Sequence, residues 1–157
     1  MPELSHLIDD IGDMLLDCEL FRDFPPADLK TIARYFSVSR IVKDEMIFEE
    51  GDDGQFMAIV SSGKVGVLKA NQDDDNVHIA TLARGRSFGE MAVLDGERRS
   101  ATCVAESECT LLTLSKEALD KMIIETPRTG ARVIRAVAVA LSRRLRMADG
   151  KLVDHQI

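Results

Sequence analysis

Hydrophobic period changes twice along this chain, and those changes leave few folds open to it. Pro2 to Leu20 spaces Leu4, Leu7, Ile8, Ile11, Leu15 and Leu16 three and four apart, which predicts an amphipathic helix. Phe21 to Phe24 reads as an apolar elbow ending at Pro25-Pro26. PADLKTIARYF then predicts a second helix with Pro26 in its first turn. From residue 37 the period falls to two. SVSRIV, EMIFEE, QFMAIVSS, KVGVLKA, NVHIATLA, SATCVAE and CTLLTLS are short pieces rich in β-branched residues, separated by turn chemistry such as Gly51-Asp52-Asp53-Gly54 and Ser62-Gly63-Lys64. Seven or eight short strands at this spacing predict an antiparallel β-roll or jelly-roll barrel, whose closure or stacking hides strand edges. The helical period returns in KEALDKMIIET. Thr126 is expected to cap, and Pro127 to open, a last helix over about 127–148, roughly 33 Å long, with Gly150 as its stop. The fold class is therefore α+β, mainly β. It forms one domain over 1–157, with N-terminal helices at 1–36, a β-roll at 37–114 and C-terminal helices at 115–148.

Composition removes several function classes. Apolar runs are short and interrupted by charge, so none reaches the roughly 18 to 20 residues of a membrane span. Met1-Pro2-Glu3 opens without the basic and apolar run of a secretory signal. Cys18, Cys103 and Cys109 are odd in number and off metal-ligand spacing, as expected of reduced thiols in a cytoplasmic protein. A net charge of −7 opposes nucleic-acid binding by the whole surface. That charge is unevenly spread. Residues 1–127 hold 13 Lys+Arg against 25 Asp+Glu, whereas residues 128–157 hold 7 against 2.

One stretch interrupts the strand pattern with chemistry. In FGEMAVLDGERRSAT, Phe88 to Thr102, a glycine precedes a short helix-forming run, and a second turn delivers two arginines to the start of a strand. A helix start offers free backbone N–H groups to an anion, and Gly89 lets a ligand approach the main chain. Glu90 supplies an acceptor suited to a hydroxyl. Arg99 supplies a planar fork for phosphate oxygens, and Ser100 adds a hydroxyl and another N–H. These groups describe a site for a sugar phosphate. No GxxxxGK[ST] loop is present, and no nucleophile–base pair, metal set or general-base histidine lies nearby. A binding module rather than an enzyme is expected, with no metal and no cofactor.

These residues resemble the phosphate-binding cassette of the cyclic nucleotide-binding domain family, which includes bacterial catabolite activators, protein kinase A regulatory subunits and cyclic-nucleotide-gated channels. The family pattern F-G-E-x-A-x-L followed by R-[small]-A-x is matched by Phe88-Gly89-Glu90-Met91-Ala92-Val93-Leu94 and Arg99-Ser100-Ala101-Thr102. Glu50-Gly51-Asp52, Phe56 and Ser62-Gly63-Lys64-Val65 match its upstream landmarks, and the resemblance spans about residues 20–147. It implies a β-roll that binds a 3′,5′-cyclic nucleotide within residues 88–92 and 99–102. Arg99 would hold the cyclic phosphate and Glu90 the ribose 2′-hydroxyl. The N–H groups of Gly89, Met91, Ala92 and Ser100 would complete the cradle, with Arg98 on the surface. Cyclic AMP is favoured and cyclic GMP is the alternative; Ser100 does not decide between them.

The resemblance also implies that the last helix is a lid, and in many relatives a dimer contact. Val133, Val137, Leu141 and Leu145 recur every four residues there, widened by Ile134, Ala138 and Ala140. No Phe, Tyr or Trp follows Lys116, so the base is expected to be covered by aliphatic side chains, an arginine plane or a partner subunit. The basic face of Arg128, Arg132, Arg135, Arg143, Arg144 and Arg146 has three readings: a solvated lid face, then a docking surface for a protein partner, and last a contact with acidic lipid or nucleic acid. Only Asp149 to Ile157 follow it, too few for a helix-turn-helix. The chain is then a stand-alone sensor if complete, and the sensor half of a longer regulator, such as an activator-type transcription factor, if not. A ligand-free scaffold that binds partners through the basic helix is a further alternative.

Overall fold

The computed structural model describes the backbone of residues 2–156 and the side chains from His6 to Gly150. Helix α1 spans Pro2–Leu16, a 3₁₀ turn spans Glu19–Phe21, and α2 spans Pro26–Ala33. Eight strands follow: β1 Ser37–Ile41, β2 Met46–Phe48, β3 Phe56–Ser62, β4 Val65–Ala70, β5 Asn76–Leu82, β6 Ser87–Phe88, β7 Thr102–Ala105 and β8 Cys109–Ser115. Helix α3, Glu90–Asp95, lies between β6 and β7. Helices α4, Lys116–Glu125, and α5, Pro127–Gln156, close the chain.

The strands form two four-stranded sheets with orders β1-β8-β3-β6 and β2-β7-β4-β5, and every described pairing is antiparallel. The expected α+β roll is thus present. Strand alternation explains why the first sheet is buried on both faces. Met57 and Ile59 of β3, with Leu112 and Leu114 of β8, point to a core shared with the helices. Ala58 and Val60, with Cys109 and Leu111, point into the roll with Phe48, Val65 and Phe88. Strand β6 is the element the sequence pattern did not separate, because two residues are too few to show alternation. It pairs with β3 through Ser87↔Ile59 and Phe88↔Ala58, and this pairing brings Gly89 against the roll.

The helices depart from expectation at four places. The elbow begins two residues early, as the 3₁₀ turn Glu19–Phe21. On α1, Ile11 and Leu15 are buried while Leu7 and Leu16 face solvent, and Leu4 lies outside the described side chains. Thr126 stands at the start of α5, where its carbonyl accepts from the Gly130 N–H at 2.8 Å, but its hydroxyl donates back to the Met122 carbonyl at 2.9 Å and finishes α4, whose own N-cap is Ser115. Gly150 does not stop α5, which continues to Gln156 and is about 45 Å long. Gly150 is absent from the positive-φ glycines, so it carries no left-handed cap, and a helical glycine costs only about 1 kcal/mol.

The apolar stripe of α5 also winds off its contact. Val133 and Val137 are fully buried and Leu141 is partly buried, but Leu145 is 64% exposed. Four residues turn a helix through about 400°, so a strict four-residue repeat rotates about 40° per step and leaves the core within three steps. The first half of α5 is therefore bolted to the core and the second half is not.

Candidate functional site

The Phe88–Thr102 stretch folds into two buried walls. The first begins where β6 ends. Phe88 packs into the roll beside Phe48, with ring centroids 5.9 Å apart. Gly89 then turns with φ of 74°, and α3 starts at Glu90. A Cβ on Gly89 would lie 2.6 Å from Nη1 of Arg99 and 3.3 Å from the Phe56 carbonyl oxygen. Glycine is required there by the backbone angle and by what lies beneath it.

The second wall is a loop stitched to the Glu50-Gly51-Asp52 turn. The Arg99 N–H donates to the Asp52 carbonyl at 2.7 Å, and the Gly51 N–H donates to the Arg99 carbonyl at 2.9 Å. The Glu50 N–H donates to the Thr102 hydroxyl at 2.8 Å. Thr102 is thus a buried structural residue. Ser100 is exposed and Ala101 half-buried, and the Ser100 carbonyl accepts from the Lys69 ammonium at 2.6 Å. Arg98 is exposed as expected, bridging to Asp53 through the backbone.

The side chain of Arg99 runs inward. It is only 5% exposed, with Cζ 3.9 Å from the Phe48 ring centroid and 4.6 Å from that of Phe56. Its Nη1 donates to the Gly89 carbonyl at 3.4 Å, whereas the buried Nε and Nη2 have no partner among the described residues. Burial pulls the guanidinium pKa below the usual arginine value, which marks a charge held where it is poorly solvated. Two ring faces supply cation–π attraction, but they accept no hydrogen bond in the guanidinium plane.

Glu90 is equally buried, at 1% exposure, and its partner is one the sequence reading placed on a solvated surface. Arg144 of α5 grips it with both nitrogens, Nη1 to Oε2 at 2.6 Å and Nη2 to Oε1 at 3.1 Å. Nη2 also donates to the Ser87 carbonyl at 3.0 Å. The Glu90 carboxylate is therefore not open to a ribose hydroxyl, as the resemblance implied it would be. A side chain of the same molecule covers the carboxylate, because an ionised group this deep needs a charged, bidentate partner. The Ala92 N–H, expected in the cradle, donates to the Gly89 carbonyl at 3.3 Å within the first turn, while Met91 faces solvent. The sequence reading missed Phe48, Ser87 and Arg144 as site residues. Arg144 is 54 positions from Glu90, a separation at which no spacing rule operates.

A cavity of about 850 Å³ touches neither Glu90 nor Arg99. It lies between α5 and the 3₁₀ turn, and the Glu90–Arg144 pair stands at its edge. Elsewhere, His78, Thr81 and Glu106 meet on the second sheet, but Thr81 and Glu106 both contact the same His78 nitrogen, Nε2. A relay through imidazole needs a different nitrogen for each neighbour. Among the described residues, no group of three or more His, Cys, Asp or Glu side chains is placed to hold a metal. No described helix is long and apolar enough to cross a membrane. Burial pushes the thiols of Cys18 and Cys103 up to about 11 and about 12, so both stay protonated at neutral pH.

A family described as cyclic nucleotide-binding domain matches residues 38–126. The Cyclic AMP receptor protein of Thermus thermophilus is 35% identical over 133 residues, covering 85% of this chain and 60% of that protein. The crystal structure of the Thermus thermophilus Catabolite Activator Protein has a TM-score of 0.79 at 34% identity, over 87% of this chain and 62% of that one. The crystal structure of a cyclic nucleotide-binding domain from Methylobacillus flagellatus has a TM-score of 0.82 at 25% identity, over 98% of this chain and 86% of that one. The chain thus spans about 60% of the length of the Thermus receptor protein it matches.

Proposed function

The chain belongs to the cyclic nucleotide-binding domain family, and from that premise we propose that residues 88–102 bind a 3′,5′-cyclic nucleotide, cyclic AMP ahead of cyclic GMP. The observation that carries this reading is Arg99. A guanidinium buried against two phenyl rings, with Nε and Nη2 unpartnered, is a charge with no counter-ion in contact among the described residues. Such a group costs about 1–3 kcal/mol or more unless an acceptor meets it. A cyclic phosphate presents two exocyclic oxygens at the spacing of the guanidinium fork. The N–H groups of Met91 and Ser100, both exposed residues, would complete the cradle, and Glu90 would be the acceptor for a ribose hydroxyl.

Signalling follows from what covers Glu90. Val133 and Val137 fix the first half of α5, whereas beyond Leu141 every described residue of the helix is exposed. There the helix meets the roll through the Arg144 clasp on Glu90 and Ser87. A ribose hydroxyl that takes over a Glu90 oxygen weakens the clasp, and the second half of α5 is then free to move. Ligand shifts the two positions of α5 by its differential affinity for them.

Thermal denaturation with cyclic AMP, cyclic GMP and linear AMP tests the assignment. A saturating cyclic nucleotide should raise Tm by several degrees, with linear AMP ineffective. No shift with either cyclic nucleotide rejects the reading and favours a ligand-free scaffold of the same fold. A second reading, in which this domain is the sensor segment of a longer regulator, is favoured by its spanning only 60% of the Thermus receptor protein. Sixty or more codons beyond Ile157 would support it, by an order-of-magnitude allowance for a small helical domain.

A further inference from the structure

The 850 Å³ cavity is a half-open trough whose walls carry opposite characters. One wall is a single face of α5. Arg132, Arg135, Arg143 and Arg144 flank a strip of Ala136, Val139, Ala140 and Met147, with spacings of three and four. The other wall is the 3₁₀ turn and the elbow after it, with Leu20, Phe24 and Pro25 as its apolar surface. Arg86 adds a fifth guanidinium from the floor. Val139 is 41% and Met147 is 64% exposed, so this apolar strip is not packed against the rest of the chain.

Three of the five arginines have partners. Arg132 pairs with Asp28 at 2.5 Å, Arg86 lies 3.7 Å from Glu19, and Arg144 holds Glu90. Arg135 and Arg143 form no ion pair among the described residues; Arg135 stands at the start of the apolar strip and Arg143 between Ala140 and Met147. Glu19 and Asp23 are the acidic groups that line the trough, so its net character is cationic on a chain of net charge −7. From Arg132 to Met147 the face runs about 22 Å, which is four turns of a facing helix.

We propose that this trough is a docking site for an acidic amphipathic helix of a partner protein. Leucine-like side chains at three–four spacing would seat on Val139, Met147, Leu20 and Phe24, and flanking carboxylates would meet Arg135 and Arg143. Charge complementarity selects this occupant. A second copy that laid its own α5 in the trough would set basic residues against Arg135 and Arg143, since residues 128–157 hold 7 Lys+Arg against 2 Asp+Glu. A duplex or an anionic membrane is a broad polyanionic surface that would also face the acidic body of residues 1–127, with 13 Lys+Arg against 25 Asp+Glu. A concave apolar floor is of no use to either. The proposal stands independently of nucleotide binding.

The test is fluorescence anisotropy with the full chain and no nucleotide. The probe is a labelled peptide of about sixteen residues, matched to the trough length, with leucine at three–four spacing and glutamate elsewhere. Saturable binding is expected, weakened about tenfold or more by R135E/R143E at unchanged melting temperature. R146E, which changes an exposed arginine of the same helix outside the trough, should leave binding within about twofold. A lysine-for-glutamate version of the peptide should not bind.

Several results overturn the proposal. They are failure of the acidic peptide to bind, equal binding of polyglutamate, or equal loss with R146E, which would each reduce the trough to general charge. Saturable binding of a duplex oligonucleotide or of phosphatidylglycerol vesicles, lost in R135E/R143E, reassigns it to a polyanion. Self-association lost in the same variant reassigns it to a second copy.

Discussion

The two charged walls of the Phe88–Thr102 stretch are buried almost equally and partnered in opposite ways. Glu90 has both oxygens held by Arg144 from a helix 54 residues downstream. Arg99, nine positions from Glu90, stands against two phenyl rings set roughly at right angles around it and has two nitrogens without an acceptor among the described residues. A long-range ion pair answers one charge, and no acceptor among the described residues answers the other. In the proposed reading an anion would complete the Arg99 wall, and a hydroxyl could reach the Glu90 wall only by displacing or sharing Arg144.

The largest break in that comparison is expected from Arg99→Ala. It removes a charge-assisted contact worth about 1.5–3 kcal/mol, so affinity for cyclic AMP by calorimetry should fall roughly ten- to hundred-fold. Unchanged affinity would mean that the buried guanidinium does not face the ligand. Arg99→Lys should recover little, since an ammonium keeps the charge and loses the fork.

Glu90→Gln and Arg144→Gln sharpen the other wall. Either alone leaves a group without its partner and should destabilise the fold by about 1–2 kcal/mol, a figure reduced because the Arg144 side chain is 44% exposed. In a double-mutant cycle the losses should be less than additive, and strict additivity would dissolve the clasp. Their effects on ligand should diverge. Glu90→Gln weakens cyclic nucleotide binding about tenfold, whereas Arg144→Gln strengthens it a few-fold because nothing then competes for the carboxylate. Hydrogen exchange over residues 142–150 should rise in Arg144→Gln without ligand. Ser100→Ala is expected to be the smallest change, within about twofold, because its side chain is exposed and its carbonyl is already held by Lys69.

The cassette was legible in the sequence because its requirements are local. Gly89 is fixed by a left-handed turn and Glu90 by the helix start after it, whereas Thr102 is held from Glu50, 52 positions away, and its structural role was not legible. The roll was legible for a similar reason: Met57, Ala58, Ile59 and Val60 alternate between two cores, and alternation is a property of neighbours. Arg144 was not legible. Its helical spacing from Arg132 and Arg135 matches that of any solvated face, and nothing in the residues around it distinguishes a clasp from a surface arginine. Phe48 failed to stand out because β2 has three residues and a broken register against β7.

By itself the sequence determined the order of helices and strands, the division of β-strand side chains between two faces, and which residues of the 88–102 stretch carry charge. Those follow from backbone sterics and from periods of two and 3.6, which act over a few residues. Tertiary structure decided which charge is answered from within, where α5 stops touching the roll, and that an arginine-lined trough opens behind it. Each depends on how far a long helix rotates between its first contact and its last. That angle is set by the packing of Val133 and Val137 against a core drawn from the whole chain.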